Sequence, residues 1–245
     1  MYVGRSARKA SLTEAGKIFC ERAEQLCSAQ KELISALEPY RGLEKKSLRI
    51  GTLPFLTQYH LTATVREFAA AHPRITLQVE EVEEKELMQG LNRQRYDLVF
   101  ARSLLLEGTD YKSRPLAEDE LIAVLSPDHP LAARDCLEPA DIAEEDFILM
   151  NPYTAVYRHC MALFAQYDIE PHILRTARVE TILSSVALGD AVTLLPRSNF
   201  EIFQAGQLRL LSFREPMRLY VCAGWLTRRP LTAAMKCFLG FAGLK

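Results

Sequence analysis

The N-terminal part of the chain carries a heptad pattern. Between residues 11 and 41, spacings of four and three residues alternate along one seam, which is apolar at every position but one. The members of the seam are Phe19, Ala23, Leu26, Gln30, Leu33, Leu37 and Tyr40. The positions between them are largely charged or polar, and so narrow a stripe is typical of a helix that pairs with another helix. We therefore predict one long dimerisation helix over residues 11–41, with contacts chiefly from Phe19, Leu26, Leu33 and Leu37.

Both ends of this helix have sequence signals. Ser11 or Thr13 is placed to cap its start, and Glu14 puts an acid in the first turn, where free N–H groups and the helix dipole favour negative charge. Pro39 and Gly42 predict its end.

From residue 47 onwards, short strands alternate with helices. Strands are predicted at residues 47–51, 75–82, 97–101, 120–126, 147–150, 173–179, 192–195, 208–212 and 218–225. Helices are predicted at residues 57–71, 83–93, 154–167, 181–188 and 231–241. This order is typical of an α/β fold with a mostly parallel sheet and helices on both faces. Because two α/β units follow one another, we expect two lobes around a cleft, with a ligand site at the carboxyl ends of the strands.

Composition and charge narrow the class of protein. The chain has 245 residues, of which 49% are apolar and 25% charged, as in ordinary globular proteins. Its net charge of −1 gives no electrostatic sign of nucleic-acid binding, although Arg5, Arg8 and Lys9 form a basic cluster near the start. No apolar run has the length of a signal peptide or a membrane helix, and we expect a cytoplasmic protein.

Motifs for catalysis or metal binding are not found. The six cysteines include no C-x-x-C pair, and Cys20 and Cys27 lie too far apart along a helix to bond within one chain. We interpret the cysteines as reduced, mostly buried thiols, and expect no metal and no cofactor. The sequence has neither a phosphate-binding glycine loop nor a G-x-S-x-G elbow, and its five histidines are dispersed, so we do not expect an enzyme.

Six motifs, in order along the chain, resemble LysR-type transcriptional regulators. The first, Arg5-x-x-Arg8-Lys9-x-x-Leu12-Thr13-x-Ala15-Gly16, resembles the family's junction between wing and linker helix. The others are Leu48-Arg49-Ile50-Gly51, then Phe68 with His72-Pro73 and Ile75-x-Leu77, then Tyr96-Asp97-Leu98-Val99, then Ser126-x-Asp128-His129-Pro130-Leu131-Ala132, and finally Val186-Ala187-x-Gly189 with Leu194-Leu195-Pro196. The resemblance covers almost the whole chain. Gln94 and Ala191 depart from it, because the family usually has glycine there.

The resemblance implies a domain organisation. Residues 1–16 would be the remnant of a winged helix-turn-helix without its recognition helix, and residues 11–42 the linker and dimerisation helix. The rest would be a two-lobed effector-binding domain of the type II periplasmic-binding-protein-like fold. Its subdomain I would comprise residues 46–126 and 206–245, and its subdomain II residues 127–205.

The resemblance also implies a sensor rather than a catalyst. A small-molecule effector would bind between the lobes and shift the geometry of a dimer or tetramer, and thereby modulate DNA binding and transcription by the full-length oligomer. In the full-length protein Arg5, Arg8 and Lys9 would contact DNA phosphates. In this chain we expect them to be solvated, because the helix that reads bases is absent.

The effector site is carried over from the family position by position. Its candidate residues follow strand ends or begin helices, and they are Thr52, Pro54, Phe55, Glu84, Arg102, Asn151, Tyr153, Thr154, Glu180 and Thr181. The helix after Phe55 is expected to point its free N–H groups at the cleft, which with nearby hydroxyls favours an anionic effector. Glu84 and the aromatic residues favour an aromatic or partly cationic one, so the effector class stays open.

Several individual residues have two interpretations. Glu84, which is often threonine in the family, either faces the effector or, as we expect, caps its own helix in solvent. Arg102 either binds a carboxylate or pairs with an acid such as Glu107. Tyr153 and Tyr157 are expected in the core rather than at the ligand.

Two other functions fit the same fold. A solute-binding protein would share the two lobes, but it would need an export signal and has no use for a heptad helix. A dimerisation module with a degenerate cleft would keep the helix and bind no small molecule.

Overall fold

The computed structural model describes residues 3–6, 9–37, 46–202 and 208–244. The chain divides into two compact units, Met1–Lys46 and Ser47–Lys245. The first unit is a hairpin followed by a long helix. Strands β1 (Val3–Ser6) and β2 (Lys9–Leu12) pair antiparallel, and helix α1 spans Glu14–Leu37.

The start of α1 is set by one of the two predicted caps. Ser11 is not the cap, because it belongs to β2 and pairs with Gly4. Thr13 is the cap, since its Oγ1 accepts a hydrogen bond from the Gly16 N–H at 3.1 Å. The end predicted at Pro39 and Gly42 lies outside the described residues.

The second unit contains nine strands and six α-helices among the described residues. The strands are β3 (Lys46–Thr52), β4 (Ile75–Glu81), β5 (Leu98–Arg102), β6 (Tyr111–Leu125), β7 (Asp146–Met150), β8 (His172–Ala177), β9 (Thr193–Pro196), β10 (Arg209–Leu211) and β11 (Met217–Leu226). The helices are α2 (Leu61–Ala71), α3 (Glu84–Asn92), α4 (Ala155–Gln166), α5 (Val179–Ala187), α6 (Asn199–Ile202) and α7 (Ala233–Phe241). Short 3₁₀ turns span Ser103–Leu106, Pro130–Ala133 and Pro139–Ile142.

The main sheet is mixed, and the prediction of a mostly parallel sheet is wrong for it. Its order is β10-β6-β11-β5-β3-β4, with β9 paired to β6. β5 pairs parallel with β3, but β6 is antiparallel to β9, β10 and β11, and β11 is antiparallel to β5. β7 and β8 form a separate parallel pair. The alternation of strands and helices indicates the α/β class, but it does not reveal which long strands will pair.

Two hydrophobic cores define two lobes within the second unit. In the first lobe, α2, α7 and β5 meet at Phe68, Phe238 and Phe100, with ring centroids 4.9 Å apart for Phe68 and Phe238 and 5.8 Å apart for Phe100 and Phe238. In the second lobe, Phe147 and Phe164 join β7 and α4, and a neighbouring cluster packs α5 against β7 and β9. The strands β6 and β11 supply residues to both lobes and therefore connect them.

The loop after β3 differs from the prediction. Helix α2 begins at Leu61 rather than residue 57, and His60 before it has a left-handed backbone with φ of 55°. Phe55 is buried in this loop and its ring packs edge-on against Tyr59, with centroids 5.3 Å apart. The burial of these two rings requires a turn, so residues 57–60 are not helical. The predicted helix N-terminus directly after Phe55 is therefore not formed, because α2 begins only at Leu61.

The described residues contain no disulfide, no metal-ligand cluster and no membrane-spanning helix. All six cysteines are free, but only Cys160 and Cys222 are buried, so the expectation of mostly buried thiols is wrong. In the described part of the chain, no group of three or more potential metal ligands is found, and no helix is long and apolar enough to span a membrane.

Candidate functional site

A cleft of about 230 Å³ lies between the two lobes of the second unit. It collects the segments that follow the carboxyl ends of six strands, three from each lobe. From the first lobe come the segments after β3, β4 and β5. From the second lobe come those after β7, β8 and β9. This is where open α/β sheets place ligands, because loops that follow neighbouring strands converge there.

Eight of the ten predicted effector residues line this cleft. They are Pro54, Phe55, Glu84, Arg102, Asn151, Tyr153, Thr154 and Glu180. The other two do not line it. Thr52 is fully buried and its hydroxyl donates to the Leu53 carbonyl at 2.9 Å, while Thr181 is exposed outside the cleft. That the lining residues bind an effector stays a prediction.

Other lining residues were not predicted. Ten lining residues lie outside the predicted set, and they are Leu53, Gln58, Glu83, Met150, Val156, Ala177, Arg178, Val179, Pro196 and Asn199. Arg178 and Val179 were missed because the predicted strand ran to residue 179, whereas β8 ends at Ala177. Pro196 ends β9, so the rule that ligands bind at strand ends would have found it.

Arg102 is a buried cation among the residues that line the cleft. It is only 4% exposed, and its guanidinium lies 5.6 Å from the centroid of the Phe55 ring and 5.3 Å from that of Tyr59. Its ionic partner is Asp119, at 3.8 Å, and not the predicted Glu107. Among the described residues, its Nη1 has no hydrogen-bond partner. Nη1 is also the guanidinium atom that lies 3.8 Å from the Asp119 carboxylate, so its charge is paired although no hydrogen bond forms.

Asp119 is the centre of a polar network behind the cleft. Its carboxylate accepts hydrogen bonds from the Tyr59 hydroxyl, from the Ser198 hydroxyl at 2.7 Å and from the Ser198 N–H at 3.2 Å. Burial raises the pKa of Tyr59 to about 12, so the phenol stays a neutral donor. Through Asp119 on β6, the network connects Tyr59, which precedes α2, to Ser198, which follows β9.

Glu84 crosses the cleft, and the expectation that it caps its own helix in solvent is wrong. It begins α3 in the first lobe and is 8% exposed. One carboxylate oxygen accepts a hydrogen bond from the Ala155 N–H, the first of helix α4 in the second lobe. The other accepts from the Arg158 guanidinium at 2.8 Å. A partly exposed ion pair, Glu83 with Arg178 at 3.7 Å, lies beside it.

The start of α4 is built around Thr154. The Thr154 hydroxyl accepts a hydrogen bond from the Tyr157 N–H at 3.2 Å, so it is a normal N-cap. Tyr157 is half-buried against the second core, as predicted. Tyr153 is 53% exposed, so the prediction of a core position is wrong for it. Its hydroxyl accepts a hydrogen bond from the Asn151 amide at 3.2 Å.

His159 lies on α4, within electrostatic reach of Arg102 and Glu107 of the first lobe. Burial lowers the pKa of His159, and the positive charges of Arg102 and Arg158 lower it further, while Glu107 opposes the shift. Its Nε2 is buried and has no hydrogen-bond partner in the described part of the chain. Burial and the two neighbouring guanidinium groups therefore favour the neutral form of the imidazole.

The predicted dimerisation and DNA-contact residues lie in the first unit. Phe19, Leu26 and Leu33 on α1 are 54%, 73% and 61% exposed, so their apolar surface is open along the helix. The Leu37 side chain and the whole of Arg8 lie outside the described residues. Arg5 and Lys9 lie on the strands of the hairpin.

Comparison with known proteins gives the following similarities. Residues 41–243 match the family model described as the LysR substrate binding domain. The HTH-type transcriptional regulator CatR of Pseudomonas putida is 31% identical over 194 residues, which are 78% of this chain. The matched region spans 66% of that relative, so the chain corresponds to about two thirds of its length.

Two solved structures share the fold. The C-terminal domain of a probable LysR family transcriptional regulator from Rhodococcus sp. RHA1 is 25% identical, with a TM-score of 0.70, over 81% of this chain and 98% of that one. The BenM effector binding domain with its effector benzoate is 21% identical, with a TM-score of 0.68, over 82% of this chain and 96% of that one. At that identity the second similarity concerns the fold alone.

Proposed function

The chain belongs to the LysR family, through the substrate-binding domain that residues 41–243 match, and from this premise we propose that it is the effector-sensing part of a LysR-type transcriptional regulator. In this proposal a small molecule binds in the cleft between the lobes. Its binding shifts the geometry of an oligomer and thereby modulates how the full-length protein binds DNA in the cytoplasm.

The observation that carries the proposal is the construction of the cleft. Two separately packed lobes close on a space of about 230 Å³, which suits a molecule of the size of one substituted ring. The space combines apolar and aromatic lining with a buried guanidinium that lacks one hydrogen-bond acceptor. Such a mixture of mostly apolar wall and few convergent polar groups is typical of small-molecule sites. The relatives are regulators rather than enzymes, and we propose no catalytic role.

The assembly part of the proposal rests on α1. A 24-residue helix with exposed Phe19, Leu26 and Leu33 at heptad spacing fits self-association through the linker helix. The full-length protein would contact DNA phosphates through Arg5, Arg8 and Lys9.

A thermal-shift screen of small aromatic and aliphatic compounds tests the binding part. A compound that binds the native state raises the free energy of unfolding by about 2.7 kcal/mol at a hundred times its dissociation constant, and so raises the unfolding midpoint. Two neighbouring exposed residues on α5 provide a matched pair of variants. Glu180 lines the cleft and Thr181 does not.

We expect Thr181→Trp to keep the shift produced by any hit and Glu180→Trp to lose most of it, because the indole takes up space in the cleft. A chain that self-associates but is shifted by no compound would instead be a dimerisation module. Equal shifts for the two variants would place the ligand outside the cleft and contradict the proposal.

A further inference from the structure

Helix α4 already has a carboxylate at its N-terminus, and this carboxylate belongs to the other lobe. The first turn of α4 contains no acidic residue of its own. Glu84 supplies the missing negative charge, because its side chain accepts the Ala155 N–H and pairs with Arg158 at 2.8 Å. A helix N-terminus with a nearby guanidinium is the arrangement that binds a carboxylate or phosphate group.

The contact is buried and well satisfied. The Glu84 side chain is only 11% exposed, whereas the Arg158 side chain is 41% exposed. Both carboxylate oxygens have a donor, so the buried charge is compensated on both sides. An incoming anion would have to displace this internal carboxylate and leave it buried without partners, which is unfavourable.

Glu84 also lines the space in which we propose that the effector binds. Its neighbours there include Phe55, Arg102, Met150 and Tyr153. A ligand in the cleft therefore meets an occupied anion position at the α4 end, while the acceptor-poor guanidinium of Arg102 lies in the wall of the same cleft. The two groups make different demands on a ligand.

We propose that Glu84 is a specificity-determining residue of the effector site. Its carboxylate occupies the anion-binding position at the start of α4, so the cleft accepts effectors that are neutral or cationic at that end and rejects those that would place an anionic group there. This inference rests on the proposed function of the cleft, and it defines the chemical class of the ligand at one end of it. The same contact ties the first lobe to the second in the absence of ligand.

The test is rescue of a missing carboxylate by benzoate. Glu84→Ala removes the internal carboxylate and leaves the Ala155 N–H and Arg158 without it. We expect benzoate to bind Glu84→Ala at least about tenfold more tightly than the wild type, the scale of one hydrogen bond to a charged group. Benzamide, which has the same shape without the charge, should show no such gain. Isothermal titration calorimetry measures both.

Three further variants test whether the gain comes from vacating the anion position at the start of α4 or only from removing a negative charge nearby. Glu86→Gln removes another carboxylate of α3, which is 54% exposed, pairs with Arg95 and does not line the cleft, and it should leave benzoate affinity as in the wild type. Glu84→Gln keeps an oxygen that can accept the Ala155 N–H, so its gain should be much smaller than that of Glu84→Ala. Adding Arg158→Ala to Glu84→Ala should abolish the gain. If Glu84→Ala does not fold, Glu84→Ser removes the same carboxylate while keeping a small polar side chain.

The inference is overturned if benzoate binds wild type and Glu84→Ala equally, if Glu84→Gln gains as much as Glu84→Ala, or if the gain survives loss of Arg158. These results do not depend on whether the wild type has a natural effector. A compound screen without any hit on the wild type would contradict the sensing proposal instead. The benzoate comparison would still show whether Glu84 occupies the anion position.

Discussion

Among the described residues, helices α3, α4, α5 and α7 each end in a Schellman motif, in which the second residue after the helix has a left-handed backbone. That residue is glycine after α5 and α7 but not after α3 and α4. After α3, the Gln94 N–H bonds to the Leu91 carbonyl at 3.0 Å and the Arg95 N–H to the Gly90 carbonyl at 2.8 Å, as in a Schellman motif. Gln94 has φ of 58°, which glycine adopts without cost and glutamine does not. The same place after α5 is Gly189, with φ of 81°.

We predict that Gln94→Gly stabilises the chain by about 0.5–1 kcal/mol, since it relieves the left-handed strain. The matched change, Gly189→Gln, should destabilise by about 1 kcal/mol, because a Cβ there meets no atom within 4 Å and only the backbone cost remains. Urea unfolding measures both. Opposite signs are expected, and a loss of stability in Gln94→Gly would contradict the explanation.

His159 gives a prediction about pH. Its pKa in the folded chain lies below the ordinary value of 6.5, so the unfolded chain binds the proton more readily. The neutral imidazole contributes its stability above the ordinary pKa, and this contribution is lost as the pH falls through 6.5 towards the folded-state pKa.

The wild type should therefore lose more stability than His159→Gln between about pH 7.5 and pH 5.5, the range in which histidine titrates. Unfolding midpoints of the two proteins across this range measure the difference, in which the other titrating groups cancel. A difference that does not change with pH would show that His159 titrates normally.

Residue-level contacts were the least predictable part of the site. The candidates at strand ends were found because strand order alone places them there. The partner of Arg102 was missed, since Asp119 is brought to it by pairing between distant strands, and the nearer acid Glu107 was expected instead. The contact of Glu84 with Ala155 depends on the distance between the lobes, which no local pattern encodes.

At the scale of elements, α1 carries the prediction on assembly. Leu26 lies on the exposed apolar seam, and Gln25 beside it lies off the seam. Leu26→Glu should raise the dissociation constant of the oligomer by about tenfold or more, because it would bury a charge in a helix–helix contact. Gln25→Glu adds the same charge and should leave it nearly unchanged. Light scattering over a dilution series compares them, and equal effects would argue against a paired seam.

Strand and helix positions followed from periodicity except where long-range pairing decided them. The strand β6 was predicted only at residues 120–126, because its first half is rich in polar residues and contains Pro115. In the structure, ten residues of β11 pair with it, and the register shifts next to Pro115. The start of α2 was misplaced for a similar reason, since burial of Phe55 and Tyr59 outweighs the helical tendency of residues 57–60.

At the scale of the whole molecule, the second unit consists of two cores connected by β6 and β11, with a cleft between them. Each core packs its own aromatic cluster, so the lobes are separately packed parts of one unit. The contacts that cross the cleft are few and charged, namely Glu84 with α4 and Glu83 with Arg178. Of the two, the exposed Glu83–Arg178 pair can exchange for ligand contacts at modest cost, as a sensor that responds to binding requires, whereas the buried Glu84 contact is costly to break.

A crystal structure of the full chain with the compound that raises its unfolding midpoint most would test the central claim, that the cleft is the effector site. The account predicts ligand density between the lobes, against Phe55, Arg102 and Tyr153, with a non-anionic group next to Glu84. Density elsewhere, for instance in the cavity lined by Tyr59, Arg197 and Arg218 on the other side of Asp119, would contradict it.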